Sequence, residues 1–345
     1  MLIRAKFQAV SGWLRILNGG SVVVTGFGAI ATFSPFGIEG DVIEPLIGTF
    51  VTVEGAGSTL TIGDELLLGI PSHPGYFDYS VQLGIGAGGT VNVATTTRIN
   101  AAGVNLTGGG TLNTQTLVLN SVGGISTSAD WMNVSGGAVH VTGTTRIHGG
   151  RRVNLTGGTL STQHLDTLGG GIFNFTGGRL AIAGTYFGDH LDQQGGTLAA
   201  GNSPGSMSIT GDYTMAAPAV LEVELAGNGG VAGTDFDQLV VSGNATLGGT
   251  LDLSYINAFT ATPGQSFVIL TAATLTGTFA QVTGTDAGPG KVFRVQYNAN
   301  NVTLVVDPAS PGVPALAPGG WMILMLLLAV AGAAVLCRNR RFSSQ

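Results

Sequence analysis

VNVATTTRI at 91–99 returns as VHVTGTTRI at 139–147, VNLTGG at 104–109 returns at 153–158, and TLNTQTL at 111–117 returns as TLSTQHL at 159–165. The offset is 48 to 49 residues. A finer beat lies inside it: Val153-Asn154-Leu155 and Phe173-Asn174-Phe175 are 20 residues apart, and the GG pairs at 157, 177 and 195 recur after 20 and then 18. VNLT, LVLN, MNVS, VHVT and FNFT alternate apolar with polar residues, the period of a strand with one side buried. Glycine clusters between them supply the positive φ or sharp bend that turns the chain without a crossover helix. One such coil cannot bury its own apolar row, whereas coils stacked about 4.8 Å apart can. The pattern predicts an all-β fold, a right-handed parallel β-helix (β-solenoid), with about nine or ten coils over residues 10 to 205 at about 20 residues each.

Composition agrees. The 345 residues include 58 glycines, and charged residues make up 9% against the roughly 25% of an ordinary domain. An apolar fraction of 44% argues against wholesale disorder. The formal charge is −6, and three of the 13 basic residues, Arg338, Arg340 and Arg341, sit at the extreme C-terminus. No basic stripe is left for a phosphate backbone, so nucleic acid is not an expected partner. The single cysteine, Cys337, excludes a disulfide framework or a CxxC site in the body. The glycine clusters lack the Lys-Ser/Thr of a phosphate loop, and no cofactor is expected.

The organisation divides as follows. Residues 1–205 carry the glycine-rich repeats, with an irregular segment near 31–80 where SPFG, IEP and PSHPGYFDY interrupt the alternation. There Tyr76, Phe77 and Tyr79 are a candidate sugar-stacking group or a rung-edge packing group, with His73 and Asp78 close by. After GNSPGSMSITGDYTM the strands lengthen, and 206–307 reads as continuation of the helix with a C-terminal cap. Residues 308–320, with four prolines, form a linker; 321–337, WMILMLLLAVAGAAVLC, is uncharged and predicts a transmembrane helix; 338–345 is a basic tail. The arginines, by the positive-inside rule, would be cytoplasmic and the body extracytoplasmic. The absence of a clean signal segment in MLIRAKFQAVSGWLRILNGG predicts that Met1 lies inside a longer reading frame.

Candidate chemistry is sparse. Asn105, Asn154 and Asn174 recur in equivalent motifs and are either outward polar positions or a side-chain ladder; the first reading is favoured. Six N-x-S/T sequons, at Asn105, Asn133, Asn154, Asn174, Asn244 and Asn301, follow from strand composition. His164, Asp166, Asp189, His190 and Asp192 fall little more than one coil apart and define a candidate surface cluster, with solvated positions or turn caps as the plainer reading. Asp235 and Asp237 lack the ligand spacing of a calcium loop, and no metal site is expected.

The C-terminal segment resembles the IPTL-CTERM family of bacterial sorting tails: Val313, Pro314, Ala315 and Leu316 stand at the signature, Trp321 leads into the apolar run, and Arg338, Arg340 and Arg341 form the basic stop. Ala315 and Gly320 depart from the family pattern. The resemblance covers about 30 residues and implies export, inner-membrane retention with membrane lipid, and recognition by an exosortase-like sorting enzyme. More loosely, Gly201-Asn202-Ser203-Pro204-Gly205 followed by Gly211-Asp212-Tyr213 resembles autotransporter-like passenger domains. The expected function is a membrane-tethered or sorted surface β-solenoid for cell-surface structure, adhesion or matrix association, with a glycan or matrix ligand. The alternative is an exported carbohydrate-active β-helix enzyme.

Overall fold

The computed structural model describes residues 2–3, 7–10, 12–26, 28–31, 49–69, 81–100, 102–120, 130–201, 203–227 and 229–309. The chain divides into a compact unit, Met1–Asp307, and a second, Pro308–Gln345. Every regular element among the described residues is a β-strand.

The strands stack in three parallel faces. One coil runs from Val81–Gly86 on the first face through Thr90–Val93 on the second to Thr96–Ile99 on the third. The next, Ala102–Leu106, Thr111–Thr114 and Thr116–Leu119, lies on it in register, with Val104 beside Leu83, Leu112 beside Val91 and Leu117 beside Thr97. Further along, the corners tighten until Arg152–Asp166 and Ile172–Phe187 each pass round all three faces as one strand, with register shifts at the corners. The long sequence repeat is two coils: Val91 pairs with Leu112, which pairs with Val139.

Alternation places one row of each face inside. Val104, Leu106, Leu112, Leu117 and Leu119 are fully buried, as are their counterparts Val153, Leu155, Leu160 and Leu165 two coils on. Each such side chain contributes about 1.5–3 kcal/mol. Gln193 also points inward, fully buried and satisfied: its Nε2 donates to the carbonyls of Gly196 (2.9 Å) and Val220 (3.0 Å), and Tyr213 donates to its Oε1 (2.6 Å). Burial raises the Tyr213 phenol far above its ordinary range.

The corner from the first to the second face is a glycine column. Gly137, Gly158, Gly178 and Gly196 all have φ between +66° and +78°, and a Cβ on Gly158 would stand 2.4 Å from the Gly137 carbonyl oxygen. Left-handed backbone and close stacking together admit no side chain there.

Residues 49–69, inside the span expected to be irregular, form a regular coil: Thr49–Glu54 and Thr59–Ile62 lie parallel to Gly12–Leu17 and Ser21–Val24, and Leu66–Leu68 lies parallel to Gly28–Ala31. TLTI buries Leu60 and Ile62, so its alternation survives between two proline-containing stretches. His73, Tyr76, Phe77, Asp78 and Tyr79 lie outside the described residues.

Between 206 and 307 the three faces continue, from Ser206–Ile209 to Gln281–Thr283, still parallel. The chain then reverses. Asn301–Pro308 pairs antiparallel with Ser266–Thr271 and buries Val302, Leu304 and Val306. Phe267 sits beneath it among Phe236, Phe259 and Phe293, with ring centroids 5.3, 6.0 and 6.3 Å away.

The expected C-terminal transmembrane helix requires correction. No helix occurs among the described residues, and none is long and apolar enough to cross a membrane. Residues 321–337 lie outside the described residues, as do Val313, Pro314, Ala315, Leu316, Trp321, Arg338, Arg340 and Arg341. The described residues form an all-β solenoid and include no helix, so the expected membrane helix, and with it the membrane-tethered function and inner-membrane localisation, find no support in them.

Candidate functional site

The most regular polar feature is on the outer side of the first face. Asn105 pairs with Asn133, Asn133 with Asn154, and Asn154 with Asn174. Asn133 Nδ2 donates to Asn105 Oδ1 (3.1 Å), Asn154 to Asn133 (2.7 Å) and Asn174 to Asn154 (2.6 Å). The column is therefore at once outward-facing and a ladder, because parallel in-register strands bring identical residues to one hydrogen-bond distance. Thr107, Ser135 and Thr156, two residues further along each strand, are exposed beside it.

This hydroxyl column and Asn133 were carried in the sequence by N-x-S/T at 105, 133 and 154, a motif that marks two neighbouring outward positions once per coil. On the other flank Trp131 pairs with Gly103, and its indole takes the space of the missing side chain: a Cβ at 103 would lie 2.3 Å from Trp131 Cζ2. Neither Trp131 nor Gly103 belongs to a sequence repeat, and the pairing spans the insertion at 121–129.

A shorter ladder occupies the second face, where Asn113 Nδ2 donates to Asn92 Oδ1 at 2.8 Å. It gives way to His140 and Ser161, whose His140 Nδ1 and Ser161 Oγ are 2.8 Å apart.

The candidate cluster of His164, Asp166, Asp189, His190 and Asp192 is spread over two faces and a corner. His164 and Asp166 sit on the third face, where His164 Nδ1 accepts from the Thr185 N–H (3.1 Å) and Asp166 pairs with Arg146 (2.9 Å). His190 and Asp192 begin the first-face strand His190–Gln193, and Asp192 accepts from Gln194 (2.9 Å). Asp189, in the turn between, raises the Tyr186 phenol as a secondary contribution to burial, with the Thr167 hydrogen bond opposing. Tyr186 donates to the His190 carbonyl at 2.9 Å. The His164, Asp166 and Asp192 side chains each serve a local bond, and among the described residues no three His, Cys, Asp or Glu side chains converge as a metal site.

Asp235 and Asp237 are turn acceptors. Asp235 Oδ2 accepts from the Val231 N–H (2.8 Å); Asp237, 2% exposed, accepts from the N–H groups of Gly205 (2.6 Å) and Glu224 (2.9 Å). Burial outweighs those two bonds and, with Glu224 and Glu222 nearby, pushes the Asp237 carboxyl up to about 7. Asp130, fully buried, accepts from the Ala102 N–H (3.2 Å) and from Arg151 Nε (2.7 Å), fastening the strand after the 121–129 insertion.

No known family model matches the chain, and no curated protein matches it. The repetitive all-β solenoid stands on the strand pairing, while the sorting-tail and passenger resemblances gain no matching relative.

Proposed function

We propose that the protein is a structural β-solenoid whose outer walls hold it to surface material by adhesion or matrix association. The observation that carries this reading is the in-register Asn column, which repeats one polar group along the wall over four coils. Repetition of this kind suits a repetitive partner, since each coil contributes one weak contact and the contacts sum along the axis. The rigid inner rows keep those groups in place without an ordering cost on binding. The loose likeness of 201–213 to passenger domains, which include adhesins, agrees with it.

The test is retention of the full-length chain on immobilised extracellular polysaccharide and on protein matrix, compared with an uncoated surface. Retention that rises with polymer length is expected. Equal retention on all surfaces, or turnover of the polymer, overturns the reading.

A further inference from the structure

The Asn ladder has a chemistry that its own bonds do not exhaust. Each amide carries two N–H donors and an oxygen with two lone pairs, and the ladder bonds engage at most one donor and one lone pair per residue. The remainder lies on the outward side of a sheet, repeated at about 4.8 Å. That interval is of the same order as one hexose in an extended β-linked chain, whose ring hydroxyls supply matching donors and acceptors.

Two further features lie at the upstream end. Asn105 Oδ1 faces Asn133, so its Nδ2 faces the other way, toward its strand partner Gly84. No atom comes closer than 4.0 Å to where a side chain at Gly84 would begin, so the amide opens on a notch in the wall. Beside it the half-buried Trp131 indole lies over Gly103, offering an apolar ring surface next to an amide, the pairing that suits a sugar's C–H face and hydroxyl edge. Across the described outward positions of the first face in these four coils Arg152 is the only ionised side chain, whereas Asp192 and Asp212 lie on that face in the next two.

Resting on the reading of the chain as an adhesive scaffold, we propose that the first face from Gly84 to Asn174 binds an uncharged β-linked polysaccharide laid along the solenoid axis. Its hydroxyls meet the Asn column and one ring stacks on Trp131.

The experiment measures binding of the full-length chain to cellohexaose and to insoluble β-1,4-glucan, with dextran and polygalacturonate as α-linked and anionic comparisons. Trp131→Ala and Asn105→Ala are each expected to weaken β-glucan binding about tenfold or more, the loss that about 1.4 kcal/mol represents. Asn113→Ala removes an Asn–Asn bond of the same kind on the second face and is the control for folding; it is expected to bind as the unaltered chain does. Thermal unfolding of all three is followed in parallel. Binding that survives Trp131→Ala and Asn105→Ala, falls equally with Asn113→Ala, or prefers polygalacturonate overturns the assignment while leaving the scaffold reading intact. Retention on neither glycan nor matrix overturns both.

Discussion

The coils around Asn133–Asn174 and those beyond Ser206 solve the same stacking problem differently. In the first region equivalent side chains are 20 or 21 residues apart, the corners carry glycine, and polar pairs tie neighbouring coils. In the second the step is 30 to 32 residues, the extra length lies in turns, and a cluster of aromatic rings fills the interior beneath an antiparallel strand. Short coils leave no slack, so register is set by corner geometry and side-chain ladders. Longer coils keep such polar pairs, Thr246 with Thr276 at 3.1 Å among them, and add large apolar side chains and a closing strand.

Phe267→Ala attacks the second solution at its centre. It removes a ring 1% exposed that touches three others, and the expected cost is about 3–5 kcal/mol by denaturant unfolding. A cost under about 1 kcal/mol would show that the closing strand, not the rings, holds this region.

Asp130→Ala attacks the first. It leaves Arg151, 14% exposed, beside a vacated acceptor and strands the Ala102 N–H; about 3–5 kcal/mol is expected. Replacing Arg151 as well, with Met, should recover part of the loss. No recovery would place the energy in the Ala102 bond.

Asp237 distinguishes the two regions by pH. Its carboxyl holds a proton more tightly folded, near 7, than unfolded, near 4. Folding therefore takes up a proton between those values, and stability falls as pH rises from about 4 to about 7, then levels. Unfolding midpoints measured from pH 5 to 8 should decline, and Asp237→Asn should flatten that decline. An unchanged slope in the variant would assign the dependence elsewhere.

The smallest effect expected is that of Asn154→Ala, which breaks two amide bonds, for about 1–3 kcal/mol at 0.5–1.5 each. A loss larger than that of Phe267→Ala would invert the comparison.

The regular region was the legible one. VNVATTTRI and VNLTGG disclosed strand, corner and coil, because alternation and glycine act locally and repeat. The beat of 20 residues inside the long repeat disclosed the coil length, but the spacing is uneven: 121–129 stretches the Asn105–Asn133 step to 28 residues. The Asn column was visible as positions, but its bonding depends on register across coils, which no single strand encodes. The seat of Trp131 on Gly103 has the same cause. The antiparallel turn of Asn301–Pro308 onto Ser266–Thr271 was legible only as a strand, since VTLVV alternates identically in either direction.

Every amide of the Asn ladder points the same way, donor toward the N-terminal coils and oxygen toward the C-terminal ones. The wall consequently has a sense, like an arrow drawn along the axis. It begins at an N–H facing the Gly84 notch and ends at an oxygen facing the coil that carries the Asp192 carboxylate. A polymer with distinguishable ends meets two different surfaces when it is laid down forward or reversed, and two solenoids set side by side are not equivalent in parallel and antiparallel arrangement.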